Sequence, residues 1–112
     1  MSFITVAELA LWQRGNFAFQ LLDVRRALAR ATDGSDIADA RWLDPALWLD
    51  WKNDIGNQRP VVVYCAHGHE ISQGLTAALR AMGVDARYLD GGMTAWKAAG
   101  QSVLPIAKEM SP

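Results

Sequence analysis

Apolar positions along the chain fall into two kinds of pattern, short continuous runs and spaced stripes. The run Val61–Tyr64 is three valines and a tyrosine, and it predicts a buried strand because β-branched side chains pack on both faces of a parallel sheet. From Ser72 onward, apolar residues recur at helical spacing as far as Gly83, which predicts a helix: Leu75, Ala78, Leu79 and Met82. The cysteine at position 65 therefore lies between the carboxyl end of a strand and the amino end of a helix.

The amino-terminal third of the chain predicts one helix and one strand. Thr5 and Glu8 have the spacing of a capping box, and they start a helix that we expect to end near Gly15. The compact apolar segment Phe19–Val24 predicts a strand with polar residues at its carboxyl end. Residues 30–36 include Thr-Asp-Gly-Ser-Asp and are predicted to form a loop.

The middle of the chain carries a weaker pattern. We expect Ile37–Leu43 to cover an edge of the sheet. Asp44 followed by a proline is typical of a helix start, and the predicted helix continues to about Lys52. Trp48 and Trp51 lie on it at a spacing that is more often found in a core than in a binding site.

The carboxyl-terminal third completes an alternation of strands and helices. Residues 53–60 form a polar connection to the strand at 61–64. After the helix that follows Cys65, Ala86–Leu89 predicts a further strand. Two glycines break the chain there, and a final helix is predicted over Thr94–Ala99. An apolar tail follows at Val103–Ile106. The alternation predicts one α/β domain over residues 1–112, with a central, mostly parallel sheet and helices on both faces.

Length and composition limit the possible functions. The 112 residues carry a formal net charge of −1, and the basic residues are scattered, so nucleic acid is not an expected partner. No apolar stretch approaches the roughly 20 residues of a membrane helix. A single cysteine excludes an internal disulfide and indicates a reducing compartment, and the start of the chain lacks the pattern of a secretion signal, so we expect a cytoplasmic protein.

The sequence allows two interpretations of Cys65. A lone cysteine after an apolar run is often a buried core thiol. However, open α/β sheets bind ligands outside the carboxyl ends of their strands, and the unpaired N–H groups of a loop and helix start stabilise an anion there. The helix dipole alone is too weak to hold a thiolate, so several loop amides must point at the sulfur. Gly68 makes such a curled loop sterically accessible.

Three segments together resemble the single-domain rhodaneses, a family of sulfurtransferases. They are Leu22–Arg25, which reads Leu-Asp-Val-Arg, the strand-Cys-loop-helix segment at 61–82, and the stretch Tyr88–Trp96 with its Gly-Gly-x-x-x-Trp pattern. The resemblance covers residues 5–104.

The resemblance implies a thiosulfate sulfurtransferase that needs no cofactor and no metal. Cys65 would take the outer sulfur of thiosulfate or a related small anionic donor as a persulfide and pass it to a thiol or cyanide acceptor, with a thiol-containing protein as a further acceptor class. Asp23 and Arg25 would support the loop. The loop itself would bind the substrate, through residues Ala66, His67, Gly68, His69, Glu70, Ile71 and Ser72.

The loop departs from the family pattern. The common rhodanese loop has arginine five residues after the cysteine and Ser or Thr one further, whereas this chain has Glu70 and Ile71 there, with Ser72 next. Related phosphatases and arsenate reductases carry arginine six residues after the cysteine, at the position of Ile71. Because a guanidinium holds tetrahedral oxyanions bidentately, its absence argues against phosphatase or arsenate reductase activity. We expect Glu70 to face the solvent.

Two alternatives remain open. Cys65, His67 and His69 are three potential zinc ligands, but the chain has no other cysteine or histidine to complete a tetrahedral site. We expect the two imidazoles either to steer anions toward the loop or to be ordinary residues of a surface loop. The unusual loop also allows a non-catalytic, rhodanese-like module that binds anions or partners and regulates them.

Overall fold

The computed structural model describes residues 2–106, and its centre is a sheet of five parallel strands. These strands are β1 (Phe3–Ile4), β2 (Gln20–Asp23), β4 (Arg41–Trp42), β5 (Val61–Tyr64) and β6 (Ala86–Leu89). Their order across the sheet is β1-β6-β5-β2-β4, which puts β5 in the middle. Two short antiparallel strands form a separate pair, β3 (Ser35–Asp36) and β7 (Leu104–Pro105).

Within residues 2–106, five α-helices surround the main sheet. They are α1 (Val6–Arg14), α2 (Ala27–Asp33), α3 (Trp48–Trp51), α4 (Glu70–Ala81) and α5 (Gly92–Ala98). No helix within residues 2–106 is long and apolar enough to cross a bilayer.

The core lies on both faces of the sheet, because successive residues of a strand point to opposite sides. On one face Val63 packs in a cluster that includes Leu79 of α4, and on the other Val62 packs in a cluster that includes Leu9 of α1 and Trp96 of α5. All four residues of β5 are buried, as its run of β-branched side chains predicts. The predicted α/β class, with a parallel sheet between layers of helices, is confirmed.

Several predicted elements are confirmed. The capping box is present, with Thr5 and Glu8 each accepting a hydrogen bond from the other's backbone N–H, and Gly15 caps the end of α1. The strands predicted at 61–64 and 86–89 have these bounds. β2 is shorter than predicted by one residue at each end.

The loop predicted over residues 30–36 is wrong for most of its length. Residues 30–33 complete α2, which ends at Gly34 in a left-handed conformation with φ of +75°, and the next two residues form β3. The helix buries none of its side chains, so no apolar stripe marks it in the sequence.

Other boundaries also differ. α4 begins at Glu70, two residues before the predicted start, and α5 begins at Gly92 rather than Thr94. The helix predicted from Asp44 to Lys52 is α3 between two 3₁₀ turns, at Pro45–Leu47 and Lys52–Asp54. The segment Ile37–Leu43 does cover a sheet edge, since it contains β4, and β1 at the other edge was not predicted.

Candidate active site

Cys65 lies at the floor of a cleft at the carboxyl edge of the main sheet. It directly follows β5, and the parallel register of Asp23 with Tyr64 brings the polar end of β2 alongside it. The cysteine is 6% exposed, and its Sγ lies 3.1 Å from the hydroxyl oxygen of Ser72, which is buried in the first turns of α4. Cys65 belongs to the core cluster on this face of the sheet, and it also lines a cleft of about 550 Å³, so it stands between the core and the cleft.

The loop after Cys65 is fixed by the amino end of α5. The backbone N–H groups of Met93 and Thr94 donate to the carbonyl oxygens of Cys65 and Ala66, each at 2.9 Å. In a trans peptide the N–H points opposite to the C=O, so the N–H groups of Ala66 and His67 point away from α5. Within residues 2–106, the backbone N–H groups of residues 66–72 donate to no protein acceptor, which leaves them available to an anion.

Two glycines allow the loop and α5 to approach this closely. Gly68 has φ of +73°, and a Cβ on it would lie 2.6 Å from the backbone nitrogen of Gly91. Gly92 has φ of +61°, and its Cβ would lie 2.4 Å from the carbonyl oxygen of Cys65. Both conformations and both distances exclude an ordinary side chain. Gly92 was predicted to break the chain after β6 and to belong to the Gly-Gly-x-x-x-Trp pattern, and the structure shows that it also lets α5 approach the loop.

Asp23 and Arg25 form a buried ion pair beside the loop. The Nε and Nη2 atoms of Arg25 donate to the two carboxylate oxygens of Asp23 at 3.0 and 2.9 Å. Its guanidinium also donates to Asp33 at 2.7 Å and to the carbonyl of Ser35 at 2.8 Å. Burial alone would lower the pKa of Arg25, but the hydrogen bonds and charge of Asp23, together with the charges of Tyr64 and Asp33, raise it above its usual value. Arg25 is thus a fixed cation, and most of its N–H donors are used in hydrogen bonds within the protein.

The histidines of the loop are exposed. The Nδ1 atom of His67 lies 3.0 Å from the hydroxyl oxygen of Thr94, which ties the ring to α5. His69 precedes α4, and its ring centre lies 6.4 Å from that of His67. Among the described residues, no three His, Cys, Asp or Glu side chains are arranged to hold a metal ion.

The structure brings the sequence-predicted site residues together around the loop that follows β5, and they differ in how deeply they are buried. Glu70 is exposed at the start of α4, Ile71 is partly buried, and Gly68 and Ser72 lie beneath the surface of the loop. Asp23 is buried behind Arg25. The cleft is lined by Arg25, Arg26, Ala29, Cys65, Ala66, His67, His69, Glu70 and Ile71.

Sequence reasoning missed the second wall of this cleft. Arg26 and Ala29 come from the start of α2, which carries no apolar stripe, and Thr94 was not linked to His67. The only available signal for Arg26 was its place after the strand end at 23–25.

Comparisons with known proteins identify a family and similar folds. A model of rhodanese-like domains matches residues 5–99. Among curated proteins, none matches the sequence. A rhodanese-like domain protein of Staphylococcus aureus is similar in structure with a TM-score of 0.77 and 29% identity, over 86% of this chain and 91% of that one.

Two further structures are similar. A rhodanese-related protein of Thermoplasma volcanium has a TM-score of 0.81 and 22% identity, over 93% of this chain and 98% of that one. A thiosulfate sulfurtransferase of Pseudomonas aeruginosa has a TM-score of 0.76 and 25% identity, over 93% of this chain but only 19% of its own length.

Proposed function

The chain belongs to the rhodanese-like domain family, and we propose that it is a sulfurtransferase in which Cys65 carries the transferred sulfur. The donor is thiosulfate or a related small anion that contains a sulfane sulfur. The acceptor is a thiophilic molecule, such as cyanide, a small thiol or a protein thiol. The observation that carries the proposal is the position of Cys65 Sγ, 3.1 Å from Ser72 Oγ on the floor of an open cleft.

The reaction needs one nucleophile and no redox partner. The Cys65 thiolate attacks the outer sulfur of thiosulfate, and the S–S bond of the donor breaks. Sulfite leaves with the bonding electron pair, and a persulfide remains on Cys65. The acceptor then attacks the terminal sulfur of the persulfide and releases the Cys65 thiolate.

The loop supplies the charge stabilisation that this chemistry requires. Both the thiolate and the persulfide are anions, and the loop between Cys65 and the start of α4 carries backbone N–H groups, those of residues 66–72, that donate to no acceptor within residues 2–106. The α5 contacts fix the first two of these peptide groups before any substrate arrives, so their N–H groups need little reorganisation during the reaction. Ser72 adds a hydroxyl donor at the sulfur itself.

Phosphatase and arsenate reductase activity are disfavoured because the cleft has no free guanidinium in its loop to hold a tetrahedral oxyanion. The loop 66–72 contains no arginine, and the guanidinium of Arg25 already donates to Asp23, Asp33 and Ser35. A tetrahedral oxyanion would therefore lack the bidentate partner that its transfer requires.

The test is turnover with thiosulfate and cyanide. The wild-type protein should release sulfite and form thiocyanate, and Cys65→Ala should do neither while it keeps its fold by circular dichroism. If the wild-type protein binds thiosulfate but releases no sulfite, and its rate equals that of Cys65→Ala with other sulfane donors as well, the chain is a non-catalytic binding module and the proposal is wrong.

A further inference from the structure

The cleft above Cys65 is much larger than thiosulfate needs. Its volume of about 550 Å³ is within the range of about 300 to 1,000 Å³ that is common for pockets that bind organic ligands. One wall is the start of α2, with Arg26 and Ala29, and the other is the start of α4, with Glu70 and Ile71.

The two walls carry opposite charges. Arg26 is exposed and makes no ion pair within residues 2–106, in contrast to Arg25 next to it, which is buried and paired with Asp23 and Asp33. Glu70 is exposed and also makes no ion pair within the described part of the chain. The cleft therefore presents one available guanidinium and one available carboxylate to a ligand that reaches Cys65.

The carboxylate of Glu70 is unfavourable for a small dianion. Thiosulfate bound at the loop amides would place its charges near Glu70, and like charges repel each other. A glutamate in the first turn of a helix is favourable for the helix dipole in any case, so its presence in α4 does not by itself indicate a ligand. Its position on the cleft wall, opposite an unpaired arginine, is what gives it a role toward substrate.

Between the charges the cleft offers apolar contacts. Ala29 and Ile71 line it from the two walls, and Ile71 packs against the core cluster that contains Cys65. A short aliphatic segment next to the reacting sulfur would contact these side chains.

We infer that the cleft recognises a zwitterionic persulfide of the amino-acid type, whose carboxylate pairs with Arg26 and whose ammonium pairs with Glu70. The inference rests on the proposed sulfur transfer and names its donor class. The Cys65 thiolate attacks the terminal sulfur of R–S–SH, and the S–S bond breaks. The thiolate R–S⁻ leaves with the bonding pair and takes up the proton of the transferred sulfur, so that R–SH and a Cys65 persulfide anion result with no oxidant or reductant.

The test compares three persulfides that differ only in charge. Cysteine persulfide has both charges, 3-mercaptopropionate persulfide lacks the ammonium, and cysteamine persulfide lacks the carboxylate. The rate of Cys65 persulfide formation, followed by intact mass, should be highest with cysteine persulfide in the wild-type protein.

The variants assign each charge to its partner. In Glu70→Gln, cysteine persulfide should lose its rate advantage over the mercaptopropionate donor. In Arg26→Gln, it should lose its rate advantage over the cysteamine donor. Each loss should be up to about fivefold, which is what one exposed ion pair can supply. Glu70→Gln should also speed loading from thiosulfate. Asp50→Asn and Arg59→Gln change exposed charges outside the cleft and should leave all rates unchanged.

The outcomes separate this inference from the proposed function. If the wild-type protein loads from all three persulfides at equal rates, or if the two variants keep the wild-type order, the donor class is wrong while sulfur transfer through Cys65 stands. If no donor, including thiosulfate, loads Cys65, both fail.

Discussion

The thiol sulfur of Cys65 and the hydroxyl oxygen of Ser72 lie 3.1 Å apart, although the two residues are seven positions apart in the chain. The contact forms because α4 begins at Glu70 and turns Ser72 toward the end of β5. Ser72 thus occupies the position at which a hydroxyl donor can stabilise a negative sulfur.

Replacing Ser72 by alanine should slow the chemistry of Cys65 without unfolding the protein. A hydrogen bond to a charged group contributes about 1.5 to 3 kcal/mol, so we expect the rate of iodoacetamide alkylation at neutral pH and the rate of sulfur loading to fall by about tenfold or more. Alkylation of the single cysteine can be followed by intact mass.

Thr76 provides the matched control. It is buried one turn further along α4, and its hydroxyl has no hydrogen-bond partner in the described part of the chain. Thr76→Val should leave both rates unchanged and should not lower the free energy of unfolding. Equal losses of rate in the two variants would show that Ser72 acts only through packing.

Removal of the Arg25 guanidinium should destabilise the fold. Arg25→Met leaves the carboxylate of Asp23 buried without its bidentate partner, and breaking such a buried pair costs about 3 to 5 kcal/mol. Urea unfolding measures this loss. Arg80→Gln removes an exposed ion pair with Asp85, 3.7 Å long, and one hydrogen bond to the carbonyl of Ala86, so the change should be below about 2 kcal/mol. A similarly small change in Arg25→Met would mean that the pair contributes little.

Alanine should be tolerated at one glycine near the site and not at the other. In Gly92→Ala the new Cβ meets the carbonyl oxygen of Cys65 at 2.4 Å, and φ is +61°, so the loop must shift and sulfur transfer should fall steeply. Gly74 lies inside α4 with no atom within 4 Å of an added Cβ, and Gly74→Ala should raise the unfolding free energy by about 1 kcal/mol. Full activity in Gly92→Ala would contradict the close approach of α5 to the loop.

Acid should remove a stabilising contribution from Asp33. Burial alone would raise the pKa of this carboxyl, but hydrogen bonds from Lys97 and Ser35 and the charges of Lys97 and Arg25 lower it below its usual value. The folded state therefore binds fewer protons than the unfolded state between the two pKa values. The contribution is present above about pH 4 and is lost as the pH falls through the folded pKa.

Asp33→Asn tests whether the Asp33 carboxylate stabilises the fold more at neutral pH than in acid. The variant should be less stable than the wild-type protein in urea at neutral pH, and the difference should shrink as the pH is lowered. Asp50→Asn, an exposed change on α3, should follow the wild-type curve throughout. A difference for Asp33→Asn that is constant with pH would assign its effect to lost hydrogen bonds rather than to charge.

The sequence predicted the elements whose signals are local. The valines of β5 need no partner to be recognised as a buried strand, and Thr5 and Glu8 specify the start of α1 by their spacing. From these signals the fold class, the position of Cys65 and the loop 66–72 followed directly.

The features that were missed depend on tertiary contacts. β1 is two residues long, so it carries no periodicity and forms only because β6 offers a free edge. α2 buries no side chain, and the wall that it gives to the cleft could not be placed before its position was known. The α5 contacts to the carbonyls of Cys65 and Ala66 likewise join segments that are far apart in the chain.

The most direct test of sulfur transfer is the intact mass of the protein after incubation with a sulfane donor in the absence of an acceptor. We predict that the wild-type protein gains the mass of one sulfur atom, that cyanide or a thiol removes it, and that Cys65→Ala gains nothing. A wild-type mass that stays unchanged with thiosulfate and with cysteine persulfide, while the Cys65 thiol remains free to react with iodoacetamide, would contradict the account.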